Sequence, residues 1–365
     1  MIPWAKPTFW GNEKDYILQA LNSTWLSGGP FVEKFEILIA EKFGYSFALS
    51  TTNGTSAIQA TLSALNLKHG DEIIVPGYGF QAAANVALQL GIKPIFVDVD
   101  PDTWCIDVNS IRNSISKKTR GIVAIHTYGN MCEMEEINKI SKDYSLPVIE
   151  DTAEALGSKF NNTYAGNFER FATLSFQATK TLSTGEGGMV ICKSEEDFEK
   201  IRLLRSHGMG VEKYHHILAG NNFRLTNLQA ALGCAQFEYL DNALERKLDI
   251  NKKYIEHLDD IPGIVFQKFN SLCEPAVWAT GVWIDFKMFK VERSQFIQEM
   301  LNIGIEIRPG FYPASKMKLY ETDPLPVSEK IFNGMIVLPS FPELSESEIE
   351  LICKSIKKIL RLDNE

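Results

Sequence analysis

Between Tyr45 and Ile149 the chain alternates short apolar runs with helix-length segments, and this cadence narrows the possible folds more than any other feature. Tyr45–Ser50, Glu72–Val75, Pro94–Val97, Gly121–Ile125 and Leu146–Ile149 read as strands. Thr55–Leu67, about Phe80–Leu90 and Glu133–Tyr144 read as helices, with Ile58, Leu62 and Leu65 on one face of the first. Strands joined through helices run parallel, and strands that are apolar throughout need cover on both faces. The expected fold class is α/β, a mainly parallel sheet flanked by helices.

The pattern changes further along. Phe171–Phe176 and Met189–Cys192 read as strands with no helix between them. Glu195–Arg205 is helical, and a long, kinked helix begins at the cap Thr226 and runs past Tyr254. A smaller α+β region follows, with strands near Trp278–Phe286, a helix near Ser294–Ile303 and a last helix after Ser345. The expected domains are residues 1–240 and 241–365, and 365 residues is ample for two at an average of about 150 each.

Charge and cysteine usage exclude several classes. The net charge is −9, from 37 basic and 46 acidic residues, with no basic block, so nucleic acid is not an expected partner. No apolar run approaches the roughly 18 residues that cross a bilayer, and the opening MIPWAKPTFWGNEK lacks a signal layout. The expectation is a soluble, cytoplasmic protein with no membrane partner. The cysteines (Cys105, Cys132, Cys192, Cys234, Cys273, Cys353) form no CxxC pair, so no metal site is expected and each reads as a reduced, mostly buried residue.

In open parallel sheets ligands sit beyond the carboxyl ends of the strands. Three segments at such positions carry chemistry. Thr52-Asn53-Gly54-Thr55-Ser56 opens a helix, where unpaired amides, hydroxyls and a close backbone approach suit a phosphate; taken alone, the same residues make an ordinary N-cap. Glu150 and Asp151 end a strand, where an acid suits a cationic ring nitrogen or simply caps the next turn. Lys180 follows a strand in SFQATK, ahead of Gly185-Glu186-Gly187-Gly188, where a partly buried amine suits Schiff-base chemistry, although most single lysines are solvated. Cup, acid and amine together are what pyridoxal 5'-phosphate (PLP) requires. No dinucleotide fingerprint or phosphate loop occurs, which argues against a dehydrogenase.

With those residues in view, the chain resembles the DegT/StrS family of nucleotide-sugar aminotransferases, PLP enzymes of fold type I. The likeness runs nearly end to end, through NGTSAIQATLSAL, GDEIIVPGYGFQAAANVALQLGIKPIFVDVDPDTWCID, IEDTAEALGS, SFQATKTLSTGEGGMV, GNNFRLTNLQAALGCAQ and IRPGFYP. STWLSGGPFVEKFE, EDTAEALGSK and RPGFYP look most like the perosamine-synthase type, which aminates a 4-keto-6-deoxy sugar on a nucleotide diphosphate.

The resemblance implies roles for named residues. Lys180 would join the cofactor aldehyde and then carry the proton, and Asp151 would pair with the pyridinium nitrogen. Gly54, Thr55 and Ser175 would hold the phosphate, Phe80 would stack on the ring, and Glu154 would be a weaker cofactor contact. Asn222, on the phosphate, and Arg224 would reach the partner's site, which implies a homodimer with shared active sites. Arg224, Arg308, Glu186 and Tyr312 would contact substrate. L-glutamate would be the amino donor and a nucleotide-diphosphate keto sugar the acceptor, in amino-sugar and surface-polysaccharide biosynthesis. The alternatives are a PLP-dependent sugar dehydratase, whose lysine is replaced by histidine in the family, or a non-catalytic regulator on the same scaffold. His126 suits either a core histidine or a ligand contact, His207 a helix cap, and Trp25, Trp104 and Trp278 the core.

Overall fold

The computed structural model describes residues 1–362. The first sheet-building region supplies β1 (Phe47–Thr51), β2 (Glu72–Pro76), β3 (Lys93–Val97), β4 (Thr119–Ile125), β5 (Val148–Asp151), the short pair β6 (Lys159–Phe160) and β7 (Thr163–Tyr164), then β8 (Phe171–Ser175) and β9 (Gly188–Cys192). Seven of these form one sheet in the order β1-β9-β8-β5-β4-β2-β3. β2 lies parallel to β3 and β4, β4 to β5, and β5 to β8, whereas β9 is antiparallel to both β8 and β1. That exception follows from the chain: the β8–β9 link contains no crossover helix, and a parallel neighbour needs one.

The helices are α1 (Glu13–Asn22), α2 (Pro30–Phe43), α3 (Gly54–Ala64), α4 (Ala82–Gln89), α5 (Val108–Ser114), α6 (Met134–Tyr144), α7 (Glu195–Leu204), α8 (Asn227–Phe237), α9 (Leu240–Leu258), α10 (Arg293–Asn302), α11 (Pro326–Gly334) and α12 (Glu346–Ile359). Alternate strand residues point to opposite faces. Ile73 and Val75 therefore join Ala57, Leu62, Ala83 and Ile201 in the core under α3, α4 and α7. Ile74, between them, packs with Ile111, Ile137 and Ile140 of α5 and α6. α2 and α8 cover Ala172, Leu174, Met189 and Ile191. The three-layer α/β arrangement expected from the sequence is present, with every described strand end of the parallel set facing one side.

The later part adds β10 (Ile264–Phe266), β11 (Cys273–Glu274), β12 (Thr280–Ile284), β13 (Arg308–Pro309) and β14 (Met335–Leu338). Four of them make an antiparallel sheet in the order β10-β12-β14-β13, while β11 joins β6 and β7. Ile250, Tyr254 and Leu258 of α9, Phe296 and Met300 of α10, and Ile349, Ile352 and Ile356 of α12 pack against it. Ile2 belongs to this second core: its N–H donates to Gly304 O at 2.7 Å and its carbonyl accepts from Glu306 N at 2.9 Å. The kinked helix expected from Thr226 onward is two helices, α8 and α9, separated at Glu238-Tyr239. We propose that the domains meet at this break, beside the 240/241 division. α1 and α2 precede the alternating region and formed no part of the sequence expectation.

Candidate active site

The carboxyl ends of β1, β5 and β8 open into one cavity of about 930 Å³. Asn53, Gly54, Thr55 and Ser56 line it from the start of α3, Asp151, Ala153 and Glu154 from the end of β5, and Thr173, Ser175, Gln177, Thr179 and Lys180 from β8 and its turn. All three sequence segments singled out for chemistry thus meet at one place.

The cradle is built by local geometry. Asn53 caps α3 by accepting the Ser56 N–H on Oδ1 at 2.8 Å. The Gly54 and Thr55 amides, in the first turn, have no acceptor within the helix. A Cβ on Gly54 would lie 3.0 Å from Ser175 Cβ, so glycine lets the turn sit against β8. A Cβ on Gly188, in β9, would lie 2.4 Å from the Asn53 carbonyl carbon and 2.6 Å from Gly54 N. The GEGG stretch therefore matters to the cradle from behind. Thr173 Oγ1, also on the cavity, is buried without a hydrogen-bond partner.

The acids come next. Asp151 is 6% exposed, and its Oδ1 accepts the Ala153 N–H at 3.1 Å. Burial pushes its carboxyl above the usual range, with Ala153 N–H, Lys180 and His126 pulling the other way. Glu154 is likewise buried and pushed up by burial, against the pull of Lys180 and the Tyr128 N–H. Its Oε2 accepts that N–H at 2.9 Å, and Tyr128 sits at φ 57° in the turn after β4. Its Oε1 lies 3.6 Å from Lys180 Nζ. Glu154 therefore joins the lysine to the aromatic wall.

Lys180 is presented by a tight turn. Gln177 Oε1 accepts from Thr179 N at 2.8 Å and Thr179 Oγ1 at 2.7 Å, and Lys180 N donates to Gln177 O at 2.8 Å. Burial pulls the Lys180 ammonium below the usual lysine range, although Glu154 and Asp151 favour the charged form. Its Nζ stands 3.7 Å from the centre of the Trp278 ring.

An aromatic wall faces these polar groups. Tyr128 stacks on Trp278 at 6.1 Å and on Phe311 at 5.2 Å, and Trp4 meets Trp278 edge-on at 5.8 Å. Trp278 Nε1 donates to Thr179 O at 2.8 Å, which fixes the indole beside Lys180. Tyr78 and Tyr128 hydroxyls pair at 3.0 Å behind the wall. Trp278, expected in the core, is buried but gives its face to the cavity, because its indole N–H finds its partner there. Trp104 is core as expected, at 2% exposure, whereas Trp25 is 62% exposed.

The remaining predicted residues divide. Phe80, Glu186 and Arg308 line the cavity, and Phe80 is 64% exposed. Arg308 donates to Glu306 Oε1 at 2.5 Å. Tyr312 is not on the cavity wall: it packs on Phe332, ring centres 4.5 Å apart. Asn222 and Arg224 are exposed on a segment that bridges to Ser206 and to Thr51 at the sheet edge, with Arg224 Nε donating to Asn222 Oδ1 at 3.1 Å. His126 is a satisfied core histidine: Nδ1 accepts Cys132 N–H at 3.2 Å and Nε2 faces Glu150 at 3.4 Å. His207 does not cap α7; Gly208 N–H reaches the Leu203 carbonyl instead. Sequence reasoning missed Trp4 and Tyr128, which no local pattern marks, and Phe311, although it lies in the RPGFYP segment that carried Arg308 and Tyr312. Among the described residues no acidic, histidine and cysteine cluster could hold a metal, the cysteines are free, and no helix is long and apolar enough to cross a membrane.

Comparison with known proteins places this geometry. The chain is 36% identical to GDP-perosamine synthase of Escherichia coli O157:H7 and 34% identical to that of Vibrio cholerae, in each case over 98% of both chains. Its fold superposes on Helicobacter pylori PseC, an aminotransferase involved in the biosynthesis of pseudoaminic acid, with a TM-score of 0.94 and 27% identity over 99% of both chains. Residues 9–357 match the profile of one family, so the polar cradle, buried acids and lysine belong to a member of the DegT/DnrJ/EryC1/StrS aminotransferase family.

Proposed function

We propose that this enzyme transfers the amino group of L-glutamate to a nucleotide-linked 4-keto-6-deoxy sugar, in the cytoplasm, as a step of amino-sugar biosynthesis. The observation that carries the reading is the convergence of Lys180, Asp151 and the Gly54 cradle in one cavity wide enough for a cofactor and a sugar nucleotide together. Aminotransferases of this family use PLP, and the residues fit it. Free amides at the start of α3 suit its phosphate, and the buried Asp151 suits its ring nitrogen. Thr173 Oγ1 offers a hydroxyl still without a partner, and Lys180 an amine. When bound, the pyridine ring supplies an electron sink for the carbon that loses its proton.

The chain's own residues do the rest. Gly54, Thr55 and Ser175 bind the phosphate in this reading, and Phe80 covers the ring. Asp151 holds a positive charge opposite itself, which restores the ionised state that burial alone disfavours. Lys180 Nζ, kept short of protons by burial, takes up a proton from the reacting carbon and returns it, a role worth about 10²–10⁴-fold in rate. Glu154 holds Lys180 in line from 3.6 Å. Arg308 and Glu186 meet substrate at the cavity mouth, with Tyr312 just outside. Asn222 and Arg224, exposed beside the edge strand β1, reach across a homodimer to the partner's cavity in this reading.

The test is a panel of nucleotide-linked keto sugars incubated with the PLP-loaded enzyme and glutamate, read by mass spectrometry. An amino sugar appearing with 2-oxoglutarate is expected. Failure of glutamate to convert the cofactor to its amine form, judged by loss of the visible absorbance band, would overturn the proposal.

A further inference from the structure

Behind Lys180, on the side away from the main cavity, lies a second, small cavity of about 20 Å³. Lys180, Lys247 and Lys6 all line it, and no aspartate or glutamate does. Lys6 is accounted for at the rim, where its Nζ meets Glu343 at 2.7 Å. Lys247, on α9, is only 3% exposed, and among the described residues no carboxylate pairs with it. Its Nζ donates to the carbonyl of Trp278 at 2.6 Å and to that of Ser340 at 3.0 Å. A lysine buried this deeply is rare unless something holds its charge or its position.

Trp278 connects the two lysines. Its carbonyl accepts a hydrogen bond from Lys247 Nζ, its indole N–H donates to Thr179 O, and its ring lies under Lys180 Nζ. We propose that Lys247 is a positioning residue for Lys180: through the Trp278 carbonyl it fixes the backbone that holds the Trp278 ring under the reactive amine. This rests on the assignment of Lys180 above. Lys247 has two carbonyl acceptors at 2.6 and 3.0 Å, whereas Glu154 Oε1 stands 3.6 Å from Lys180 Nζ, beyond a hydrogen bond, which leaves the Trp278 ring as a close partner of that amine. Charged groups around the pair are few: Glu154 and Asp151 beyond Lys180, the Lys6–Glu343 pair, and Arg246, which is engaged with Asp249 and with the carbonyls of Pro342 and Leu344. Burial first, and then the charge of Lys180, pushes Lys247 down to about 7.

The test is the rate at which apo-protein captures added PLP, followed by absorbance across pH, because capture needs the unprotonated Lys180 amine. In Lys247→Met the midpoint of that profile moves down by about one pH unit, since the Trp278 ring, which favours the Lys180 ammonium, is no longer held against it. Lys247→Arg keeps a donor to the two carbonyls and returns the midpoint to the wild-type value. Lys247→Gln, whose amide still reaches one carbonyl, carries the same test should the methionine variant not fold. A midpoint within about 0.3 unit of wild type in a folded Met or Gln variant overturns the proposal, as does an arginine variant that shifts with them. A fall in melting temperature with an unmoved midpoint means a structural role only, and also overturns it. Absence of capture by the wild type, or normal capture by Lys180→Ala, would instead refute the assignment of Lys180.

Discussion

The cavity has two unlike sides. The polar side is made at the ends of three strands in one sheet and by the turns that directly follow them. The aromatic side is gathered from Trp4, Tyr128, Trp278 and Phe311, four points spread over most of the chain. On the polar side each group is set by its own local turn: Asn53 caps α3, Gln177 folds the turn before Lys180, and Asp151 takes the Ala153 N–H. On the aromatic side each ring is set by the others, through stacking and a few hydrogen bonds. Chemistry is thus concentrated where position is locally determined, and shape where it is collectively determined.

Substitutions on the two sides should differ in size and kind. The largest effect belongs to Lys180→Ala, which is expected to lower turnover by at least about 10²–10⁴-fold and to abolish the stable visible band; turnover near the wild-type value would break the comparison at its root. Asp151→Asn comes next. The variant should still retain cofactor in equilibrium dialysis but lose more than about tenfold in kcat, equivalent to ~1.4 kcal/mol, because the amide cannot hold a cation opposite it. Gly54→Ala places a methyl 3.0 Å from Ser175 Cβ, and PLP affinity should fall by about tenfold with little change in kcat for the loaded enzyme. On the aromatic side, Trp278→Phe keeps the ring and removes one hydrogen bond, to Thr179 O. That loss of about 1 kcal/mol should appear as a roughly fivefold slower rate of PLP capture rather than as lost chemistry. The smallest effect is expected from Tyr128→Phe, which leaves the Tyr78 hydroxyl without its partner: a stability loss of about 1 kcal/mol in denaturant titration and activity within about twofold of wild type. If Tyr128→Phe proved as damaging as Asp151→Asn, the division between the two sides would not stand.

The same division explains what could be read in advance. The parallel sheet was legible because strands such as β2 are apolar on both faces and the strands are spaced by helices. Asn53-Gly54-Thr55, Asp151 and Lys180 were legible because each lies at, or within five positions of, the end of a strand, where a sheet of this kind places its ligands. Trp4 and Phe311 were not legible: they sit in irregular segments some three hundred positions apart, and neither spacing nor composition brings them together. Trp278 was misread as plain core because burial was correctly expected while the direction of its ring depended on Thr179. The break at Glu238-Tyr239 was softened to a kink because no glycine or proline marks it. Tyr312 was carried by the RPGFYP segment, but its packing on Phe332 keeps it off the cavity wall.

The pairing of Ile2 with the Gly304–Glu306 stretch has a consequence for how the molecule is made. Ile2 and its partners at Gly304 and Glu306 stand some three hundred positions apart, so the pairing closes only once most of the intervening chain is in place. Until then Trp4 has neither Trp278 nor Arg308 to rest against, and the wall it belongs to does not exist. Contacts of such long sequence separation form late, so helical signal should recover on refolding before cofactor capture does. The aromatic wall of the cleft is, in this sense, among the last features that refolding completes.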